Sequence, residues 1–410
     1  MSSASSKRVV ITGIGVITSI GENKKSFQDG LFGGKCGIGD VSVFDVSAFA
    51  CQKAAQVKNK DLGALLPRAA IKRGSRCDFL GMCAALEAIN DAGSVIEHYE
   101  RDRIGVILGG GAGGMLSLEK YRRAGLQKKT KAFPSWILPV APCTLTDFLA
   151  NYFKITGPRA TISTACSSSN TSIGLGFDLI RSSQTDMVIT GGSEALSELT
   201  FSGFNALKVM SPEPCRPFSE NRKGLSLGEG AAILILEEYI AAKKRGANIY
   251  GEILGYATNS DAYHMTSPDP EAKGMTKVMQ NALKLARINP SQVDYLNAHG
   301  TATQINDRME TKAIKTAFGE KIAKKLAISS TKSMVGHCLG ASGAIEAAAT
   351  IIAVYKQIAP PTINLTKLDK ECDLDYIPEI ARPKNIKIAM TNSFAFGGNN
   401  TSLVMAKLNR

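Results

Sequence analysis

The amino-acid sequence predicts an α/β fold made of two similar halves. Short runs of β-branched residues alternate with helices rich in alanine and leucine, which is the pattern of a sheet covered by helices. The order of strand, polar loop, small-residue helix and strand also occurs twice along the chain. We therefore expect an N-terminal half over residues 1–250 and a C-terminal half over residues 251–410.

Four apolar runs in the N-terminal half predict buried strands, at residues 8–18, 103–108, 186–190 and 231–236. Each run is rich in valine, isoleucine or leucine, which is typical of a buried strand. Two of them lead directly into glycine-rich segments, at residues 109–114 and 191–192. Glycine adopts the backbone conformations that tight turns need, so these strands are expected to end there.

The repeated unit contains the residues that are the best candidates for catalysis. In the first half, the predicted strand Thr161–Thr164 precedes Cys166 and a serine-rich helix. In the second half, Ala327–Ser330 precedes Lys332, His337 and a helix of small residues. Because serine and glycine have low helix propensity, we expect the two helices to be buried between two sheets.

The bulk composition is that of a globular protein, with 44% of the 410 residues hydrophobic and 21% charged. No run of 18 apolar residues is present, so no membrane segment is predicted. The first seven residues are serine-rich and lack the apolar core of a signal peptide, which indicates a cytoplasmic protein. The nine cysteines include no Cys-x-x-Cys pair, so we expect neither a disulfide framework nor a metal site.

The net charge of +13 favours an acidic partner. Nucleic acid is not the predicted partner, because the basic residues form no arm and no zinc-finger or RNA-binding signature accompanies them. The segment Gly13-Ile-Gly15 is too short for a dinucleotide fingerprint. We therefore predict that the protein carries no cofactor of its own.

Cys166 is the candidate nucleophile. It lies between a predicted strand and a predicted helix, where the side chain sits at the helix N-terminus. The positive end of the helix dipole favours the thiolate, which is the reactive form of cysteine. A buried inert cysteine is the alternative for this residue, and it is what we expect of most of the other eight.

Two of the four histidines also lie at predicted strand ends. His299 follows the apolar run Val293–Leu296, and His337 follows the strand that ends near Ser329. Strand ends are where α/β proteins place their chemistry. His98 lies in a polar stretch and is expected to be exposed.

Four ordered motifs closely resemble the signatures of the β-ketoacyl-acyl-carrier-protein synthases. They are Thr164-Ala-Cys-Ser-Ser168, Asn297-Ala-His-Gly-Thr-Ala-Thr303, Lys332-Ser-Met-Val-Gly-His337 and Asn392-Ser-Phe-Ala-Phe-Gly-Gly398. Residues 261–268 resemble the type II members in particular, and the similarity extends from about residue 8 to residue 408. The resemblance implies the thiolase fold, a duplicated five-layer αβαβα sandwich, and a homodimer or a close pseudo-dimer.

The resemblance also implies a role for each matching residue in a decarboxylative Claisen condensation. Cys166 takes the acyl group from the phosphopantetheine of an acyl-carrier protein, so the cofactor arrives on the partner. His299 and His337 donate hydrogen bonds to the malonyl-derived enolate. Lys332 keeps the imidazoles neutral and pairs with Glu346, and a purely structural ion pair is the alternative for these two residues.

Further residues match the substrate-binding parts of that family. The backbone N–H groups of Cys166 and Phe396 form the oxyanion hole, and Phe396 is also a gate for the acyl chain. The remaining matches are those to substrate-binding positions, Thr301, Thr303, Thr266, Ala112 and Phe394. Basic residues in the stretches where the family docks its carrier protein are Lys72, Arg73, Arg76 and Lys208.

Three departures from the type II pattern leave the pathway open. Ala112 replaces a bulkier aliphatic residue beside the acyl pocket, Ala395 replaces a glycine at the gate, and residues 304–310 lack the usual proline. The last feature resembles ketosynthases of type II polyketide systems. Fatty-acid elongation is the leading interpretation, and a polyketide or polyene ketosynthase paired with a chain-length-factor homologue is the alternative. A thiolase would need a second catalytic cysteine, which residues 394–398 do not contain.

Overall fold

The computed structural model describes residues 7–59, 61–66, 74–127 and 131–408. Its strands are β1 (Val9–Thr18), β2 (Ile38–Asp40), β3 (Lys53–Ala55), β4 (Ile104–Gly109), β5 (Arg159–Ile162), β6 (Met187–Glu194), β7 (Leu227–Gly228), β8 (Gly230–Glu238), β9 (Gly251–Ser260), β10 (Tyr295–Asn297), β11 (Ala327–Ser329), β12 (Ile358–Ala359), β13 (Arg382–Pro383), β14 (Ile388–Phe394) and β15 (Asn399–Ala406). Its helices are α1 (Lys24–Phe32), α2 (Arg76–Asp91), α3 (Met115–Gln127), α4 (Thr144–Tyr152), α5 (Ser168–Arg181), α6 (Glu198–Ala206), α7 (Tyr239–Lys244), α8 (Lys273–Ala286), α9 (Gln304–Phe318), α10 (Glu320–Ala323), α11 (Lys332–Val335) and α12 (Ser342–Lys356).

The main sheet has an internal symmetry. Its strand order is β11-β10-β14-β15-β9-β1-β8-β6-β4-β5, and β1 joins β9 at the centre through three antiparallel residue pairs. On each side of that join, two antiparallel pairings are followed by two parallel ones. The strands β1, β8, β6, β4 and β5 therefore correspond to β9, β15, β14, β10 and β11.

The helices α5 and α12 form the middle layer of the molecule. Helix α5 packs on β4 and β6 and also reaches β9 and β15, whereas α12 packs on β14 and also reaches β8. On the outer faces, α2 covers β1 and β8, and α8 covers β9 and β15. The layers follow the order αβαβα, which confirms the predicted thiolase fold.

Burial on both faces explains the continuous apolar strands of the sequence. Along β8, Ala232, Leu234 and Leu236 face the central helices, whereas Ile233 and Ile235 face the outer layer. A strand that is covered on both sides has no polar face, so its sequence shows no alternation. The structure also moves one predicted boundary, because β5 ends at Ile162 and the following residues turn toward α5.

The parallel strands bring their carboxyl ends to a common edge in each half. Cys166, His299 and Lys332 lie within four residues of the ends of β5, β10 and β11, and these segments meet at the N-terminal ends of α5 and α12. No helix in the described ranges is long and apolar enough to cross a bilayer.

Candidate active site

A strained turn presents Cys166 to the site. The residue lies in a single 3₁₀ turn, Ala165–Ser167, between β5 and α5. Ala165 has a φ of +50°, a left-handed conformation that costs an alanine about 1 kcal/mol. The Ser168 hydroxyl holds this turn, since it accepts a hydrogen bond from the Thr164 N–H at 2.9 Å and donates one to the Ala165 carbonyl at 2.6 Å.

The thiol of Cys166 is protonated at rest. Its residue is 7% exposed, and burial raises the pKa of the thiol to about 11. The Lys332 cation and the backbone N–H groups of Phe396 and Cys166 act in the opposite direction, because each stabilises a negative charge on the sulfur. The local positive groups therefore lower the pKa of the thiol, as expected, but burial raises it by more.

A buried carboxylate orients the loop of His299. This loop follows β10, and the backbone N–H groups of His299 and Gly300 each donate to Glu310 at 2.8 Å. Glu310 comes from α9 and is fully buried. Burial raises the pKa of Glu310 to about 7, while the two N–H donors lower it.

Backbone and side-chain contacts fix His337 from both directions. Its N–H donates to the Ser226 carbonyl at 2.7 Å, and its carbonyl accepts from the Gly228 N–H at 3.0 Å. The imidazole Nδ1 accepts a hydrogen bond from the Leu339 N–H at 3.0 Å and lies 3.0 Å from the Ser342 hydroxyl. Since Nδ1 is the acceptor, a neutral ring carries its proton on Nε2.

The ammonium of Lys332 sets the tautomer of His299 in the same way. Its Nζ forms a buried ion pair with Glu346 and lies 3.1 Å from the Nδ1 of His299. An ammonium can only donate, so Nδ1 is again the acceptor and Nε2 carries the proton. Both imidazoles therefore have an Nε2–H, and their ring centroids are 5.5 Å apart.

The same surroundings keep both imidazoles neutral. Burial lowers the pKa of His299 and of His337 well below the ordinary value, and the nearby Lys332 cation lowers both further. Burial also raises the pKa of Glu346 to about 7, although its pairing with Lys332 opposes the rise. Near neutral pH, the site contains two hydrogen-bond donors and no imidazolium.

A cavity of about 330 Å³ joins these groups to the surface. Its wall includes Cys166, His299 and His337, and Lys208 and Lys223 also line it. Three of the predicted pantetheine-binding residues lie on the same wall, at Thr266, Thr301 and Thr303. The hydroxyls of Thr301 and Thr303 are 2.9 Å apart.

Phe396 lies on a glycine-containing turn beside the cavity. It precedes Gly397 and Gly398, whose φ values are +76° and +72°, so both glycines occupy the left-handed region. The Gly397 N–H donates to the Met265 carbonyl at 2.8 Å. Phe394, also on the cavity wall, has its ring centroid 6.0 Å from that of His299.

The remaining predicted residues have more varied positions. Ala112 does not line the described cavity, and its N–H instead donates to Glu194. Arg76 forms an ion pair with the buried carboxylate of Glu229 at 2.7 Å, which leaves little of its charge for a partner. Lys208 is exposed at the cavity mouth, whereas Lys72 and Arg73 lie outside the described residues.

Sequence reasoning missed several residues that shape the site. Glu310 and Ser342 orient the two histidines, Glu194 binds the loop after β4, and Phe204 stacks on Phe396. Glu310 had a usable signal, because it is an acid within a helix that directly follows a histidine motif. Ser342 and Phe204 had none, since each contacts its partner only through the fold. In the described part of the chain, no group of three or more potential ligands is arranged to hold a metal ion.

Comparisons with known proteins agree with this geometry. The family described as "Beta-ketoacyl synthase, N-terminal domain" matches residues 6–242, and the corresponding C-terminal domain family matches residues 250–366. The 3-oxoacyl-[acyl-carrier-protein] synthase 2 of Synechocystis sp. is 42% identical over 99% of this chain and 100% of its own length.

Two solved structures are similar over nearly the whole chain. The ishigamide ketosynthase/chain length factor has a TM-score of 0.94 and 31% identity, over 99% of this chain and 100% of that one. A type II polyketide acyl-carrier protein in complex with its ketosynthase, bound to the hexaketide, has a TM-score of 0.89 and 32% identity, over 98% of this chain and 100% of the other.

Proposed function

The chain belongs to the β-ketoacyl synthase family, and we propose that it joins an acyl group on Cys166 to a malonyl unit, giving a 3-oxoacyl-acyl-carrier protein. One observation carries the proposal: the Cys166 thiol and the two imidazoles line the same cavity, and a buried Lys332–Glu346 pair lies behind them. A thiol and two neutral donors are the groups that this reaction needs.

The first step is a transfer of the acyl group between two thiols. The sulfur of Cys166 attacks the thioester carbonyl of an acyl-carrier protein, the carbon–sulfur bond to phosphopantetheine breaks, and the thiol proton leaves with the departing pantetheine sulfur. Because burial raises the pKa of Cys166 to about 11, the proton must leave as the bond forms. The Lys332 cation and the two backbone N–H groups favour the developing thiolate.

The second step forms the new carbon–carbon bond. Malonyl-carrier protein loses its carboxylate as carbon dioxide, and the electron pair of the broken bond forms an enolate. The Nε2–H groups of His299 and His337 donate to the enolate oxygen, whose charge develops in the transition state. An imidazolium would not fit these surroundings, because a protonated Nδ1 could no longer accept the hydrogen bond from Lys332 or Leu339. The Lys332 cation would also repel it.

The tetrahedral intermediate has its own donors. When the enolate carbon attacks the acyl thioester, the carbonyl oxygen becomes an oxyanion, and the N–H groups of Cys166 and Phe396 bind it. Both N–H groups already point at the Cys166 sulfur. Collapse of the intermediate expels the thiolate of Cys166, which then takes up a proton, and releases the 3-oxoacyl product on the carrier protein.

The carrier protein delivers the substrate through the described cavity. Thr301 and Thr303 bind the amides of the phosphopantetheine arm, and Thr266 lies on the same wall. The exposed Lys208 at the mouth, in a chain with a net charge of +13, favours an acidic carrier. A carrier protein bound to its ketosynthase is present in one of the similar solved structures, which supports this partner.

Fatty-acid elongation is the pathway that we favour, because the curated relative with 42% identity is a 3-oxoacyl-[acyl-carrier-protein] synthase 2. The second candidate is a polyketide or polyene ketosynthase paired with a chain-length-factor homologue. The similarity to the ishigamide ketosynthase/chain length factor favours it.

A dimer completes the proposed enzyme. The strand β5 is at the end of the main sheet, and exposed apolar residues lie in the preceding segment, at Phe133, Ile137 and Leu138. An open strand edge and an exposed apolar patch are typical of an interface. A second copy of this chain is the partner in the fatty-acid case, and the chain-length-factor homologue is the partner in the polyketide case.

The test is to follow acyl transfer by intact mass. The purified protein is incubated with acyl-carrier proteins of increasing chain length, and malonyl-carrier protein is then added. We expect an acyl adduct on Cys166 that disappears on the addition, with release of the elongated product. Cys166→Ala should abolish the adduct, whereas Cys372→Ala, which removes another buried thiol, should leave it.

Other outcomes would distinguish the two candidate pathways or contradict the proposed reaction. Loading that occurs only with a co-expressed chain-length-factor homologue would favour the polyketide candidate. An adduct that forms equally in the Cys166→Ala variant, or that persists unchanged after malonyl-carrier protein is added, would contradict the proposed reaction.

A further inference from the structure

Phe204 lies on a rigid helix beside the cavity. Helix α6 is anchored by the fully buried Phe201, whose ring makes edge contacts with Phe44 at 5.5 Å and Phe49 at 5.6 Å. A second anchor is Asn205, whose side-chain oxygen accepts a hydrogen bond from the Cys51 N–H at 3.0 Å. The ring of Phe204, one turn after Phe201, therefore has a fixed position.

The ring that Phe204 contacts belongs to Phe396, which precedes two glycines. The centroids of Phe204 and Phe396 are 5.8 Å apart, and the planes of the two rings are inclined by 15°, which is an offset stack. Both residues line the cavity that contains Cys166. Two glycines follow Phe396 and adopt positive φ values, so the backbone on that side of the contact has more conformational freedom than the helix that carries Phe204.

The stacked position of Phe396 is also the one in which its N–H points at the Cys166 sulfur. The contact with Phe204 therefore favours a gate position with a complete pair of oxyanion donors. If the stack is lost, both the closed gate and the alignment of this N–H lose a stabilising contact.

We propose that Phe204 is a positioning residue that latches the Phe396 gate through the ring stack, so that acyl chains enter only when the two rings part. The latch rests on the proposed function for its biological meaning, but its structural consequence can be measured without any carrier protein. An aromatic stack of this kind favours the closed state by roughly 2- to 10-fold.

The test compares two alkylating reagents that react with Cys166. Iodoacetamide is small enough for the described cavity, whereas N-dodecyl iodoacetamide carries an acyl-like tail that needs an open gate. We expect Phe204→Leu to raise the rate of the long reagent relative to the short one by roughly 2- to 10-fold. The ratio cancels any change in the reactivity of the thiol itself, and peptide mapping confirms that Cys166 is the modified residue.

Two matched variants separate the latch from a general loosening of the helix. Phe201→Leu makes the same substitution one turn earlier but keeps the Phe204 ring, so it should raise the ratio less than Phe204→Leu does. Phe204→Tyr keeps the ring and should behave as the wild type. The latch is overturned if Phe204→Leu leaves the ratio at its wild-type value. It is also overturned if Phe201→Leu raises the ratio as much.

A second measurement connects the latch to turnover. With acyl- and malonyl-carrier proteins, Phe204→Leu should raise the rate of acyl loading relative to the rate of condensation. Loading needs the gate to open, whereas both steps use the Phe396 N–H. Equal changes in both steps would contradict the latch. If the wild type loads no acyl group while the alkylation ratio still responds to Phe204→Leu, the proposed function fails and the latch stands.

Discussion

The two halves of the main sheet have the same strand order but different side chains at equivalent strand ends. After β5, the N-terminal half presents the thiol of Cys166, whereas after the equivalent β11 the C-terminal half presents Lys332 and His337. The equivalent strands β4 and β10 are followed by a glycine-rich loop and by His299, respectively. The duplication therefore supplies two converging edges, and each edge has specialised in one part of the site.

Both halves use a buried carboxylate to hold the loop after the corresponding strand. Glu194 accepts hydrogen bonds from the N–H groups of Gly111 and Ala112 in the loop after β4. Glu310 accepts two from the loop that carries His299 after β10. The two carboxylates come from different elements, β6 and α9, so the same physical solution occurs twice without sequence repetition.

The two central helices also carry different kinds of side chain. Helix α12 is buried continuously from Ser342 to Val354 and is mostly apolar. Helix α5 instead buries hydroxyls, and the Ser169 oxygen accepts a hydrogen bond from the Ala344 N–H at 2.8 Å, in the first turn of α12. Ser169 of α5 thus satisfies a buried backbone donor of its neighbour.

The largest expected effect comes from breaking the buried ion pair of the C-terminal half. Lys332→Met removes the cation that lowers the pKa of buried Glu346, so at pH 8 this side chain must either stay charged without a partner or take up a proton. Losing the ion pair should lower the free energy of unfolding by about 3–5 kcal/mol. The double variant Lys332→Met/Glu346→Leu removes both charges and should recover much of that loss. Urea unfolding at pH 8 measures both effects.

Activity should not recover with stability in that double variant. The Nδ1 of His299 loses its donor in both cases, so the imidazole tautomer is no longer fixed. A double variant that is stable and condenses at the wild-type rate would show that the pair is only structural.

Removing the imidazole of His337 tests whether this residue acts in condensation and not in loading. His337→Ala should lower the rate of condensation by about 10²- to 10³-fold, because one of two oxyanion-type donors is lost. Loading of Cys166 should stay near the wild-type rate in single-turnover mass measurements, because the Lys332 cation and the N–H groups of Cys166 and Phe396 are retained. His98→Ala, at an exposed position, is the control, and an equal loss of loading in His337→Ala would contradict the division of tasks.

The two loop-holding carboxylates predict a similar dependence of stability on pH. Burial raises the pKa of Glu194 and of Glu310 to about 7 in the folded protein, so the folded state binds the proton more tightly than the unfolded chain does. The stabilisation that each glutamate contributes is therefore complete when the pH is below its ordinary pKa of about 4.5. It is lost as the pH rises through about 7. The loss amounts to about 3 kcal/mol for each residue.

Replacing either glutamate should remove its contribution to the change of the unfolding free energy with pH. In Glu194→Gln and in Glu310→Gln, unfolding free energies measured from pH 5 to pH 8 should fall less steeply than in the wild type. Condensation should slow more in Glu310→Gln, because only Glu310 holds the loop of His299. Slopes that match the wild type in both variants would show that these carboxylates stay ionised across the range.

The smallest expected effect concerns the orientation of His337. Ser342→Ala removes one of two partners of Nδ1, while the Leu339 N–H remains. Condensation should slow by about 2- to 10-fold, as for the loss of a typical hydrogen bond. Thr350→Ala removes a buried hydroxyl two turns further along the same helix, away from His337, and should leave the rate unchanged.

Much of the fold and of the site was predictable from local patterns. The strand predicted at residues 8–18 is found at Val9–Thr18, and a helix follows Cys166 as predicted. Burial on both faces leaves a clear apolar pattern in such strands. The four motifs also placed the cysteine, the histidines and the lysine at strand ends. The prediction failed to locate partners that approach from distant segments, such as Glu194 at the loop after β4 and Phe204 against Phe396.

The sequence by itself determined the layered α/β architecture and the kinds of group in the site, because strand and helix patterns and motif spacings are local properties. Only the tertiary structure decided how those groups behave. It showed that burial outweighs the local positive groups and leaves Cys166 with a protonated thiol. It also showed that Lys332 fixes His299 while Leu339 and Ser342 fix His337. Ionisation and tautomer depend on the groups that packing brings within a few ångströms, and sequence spacing does not contain that information.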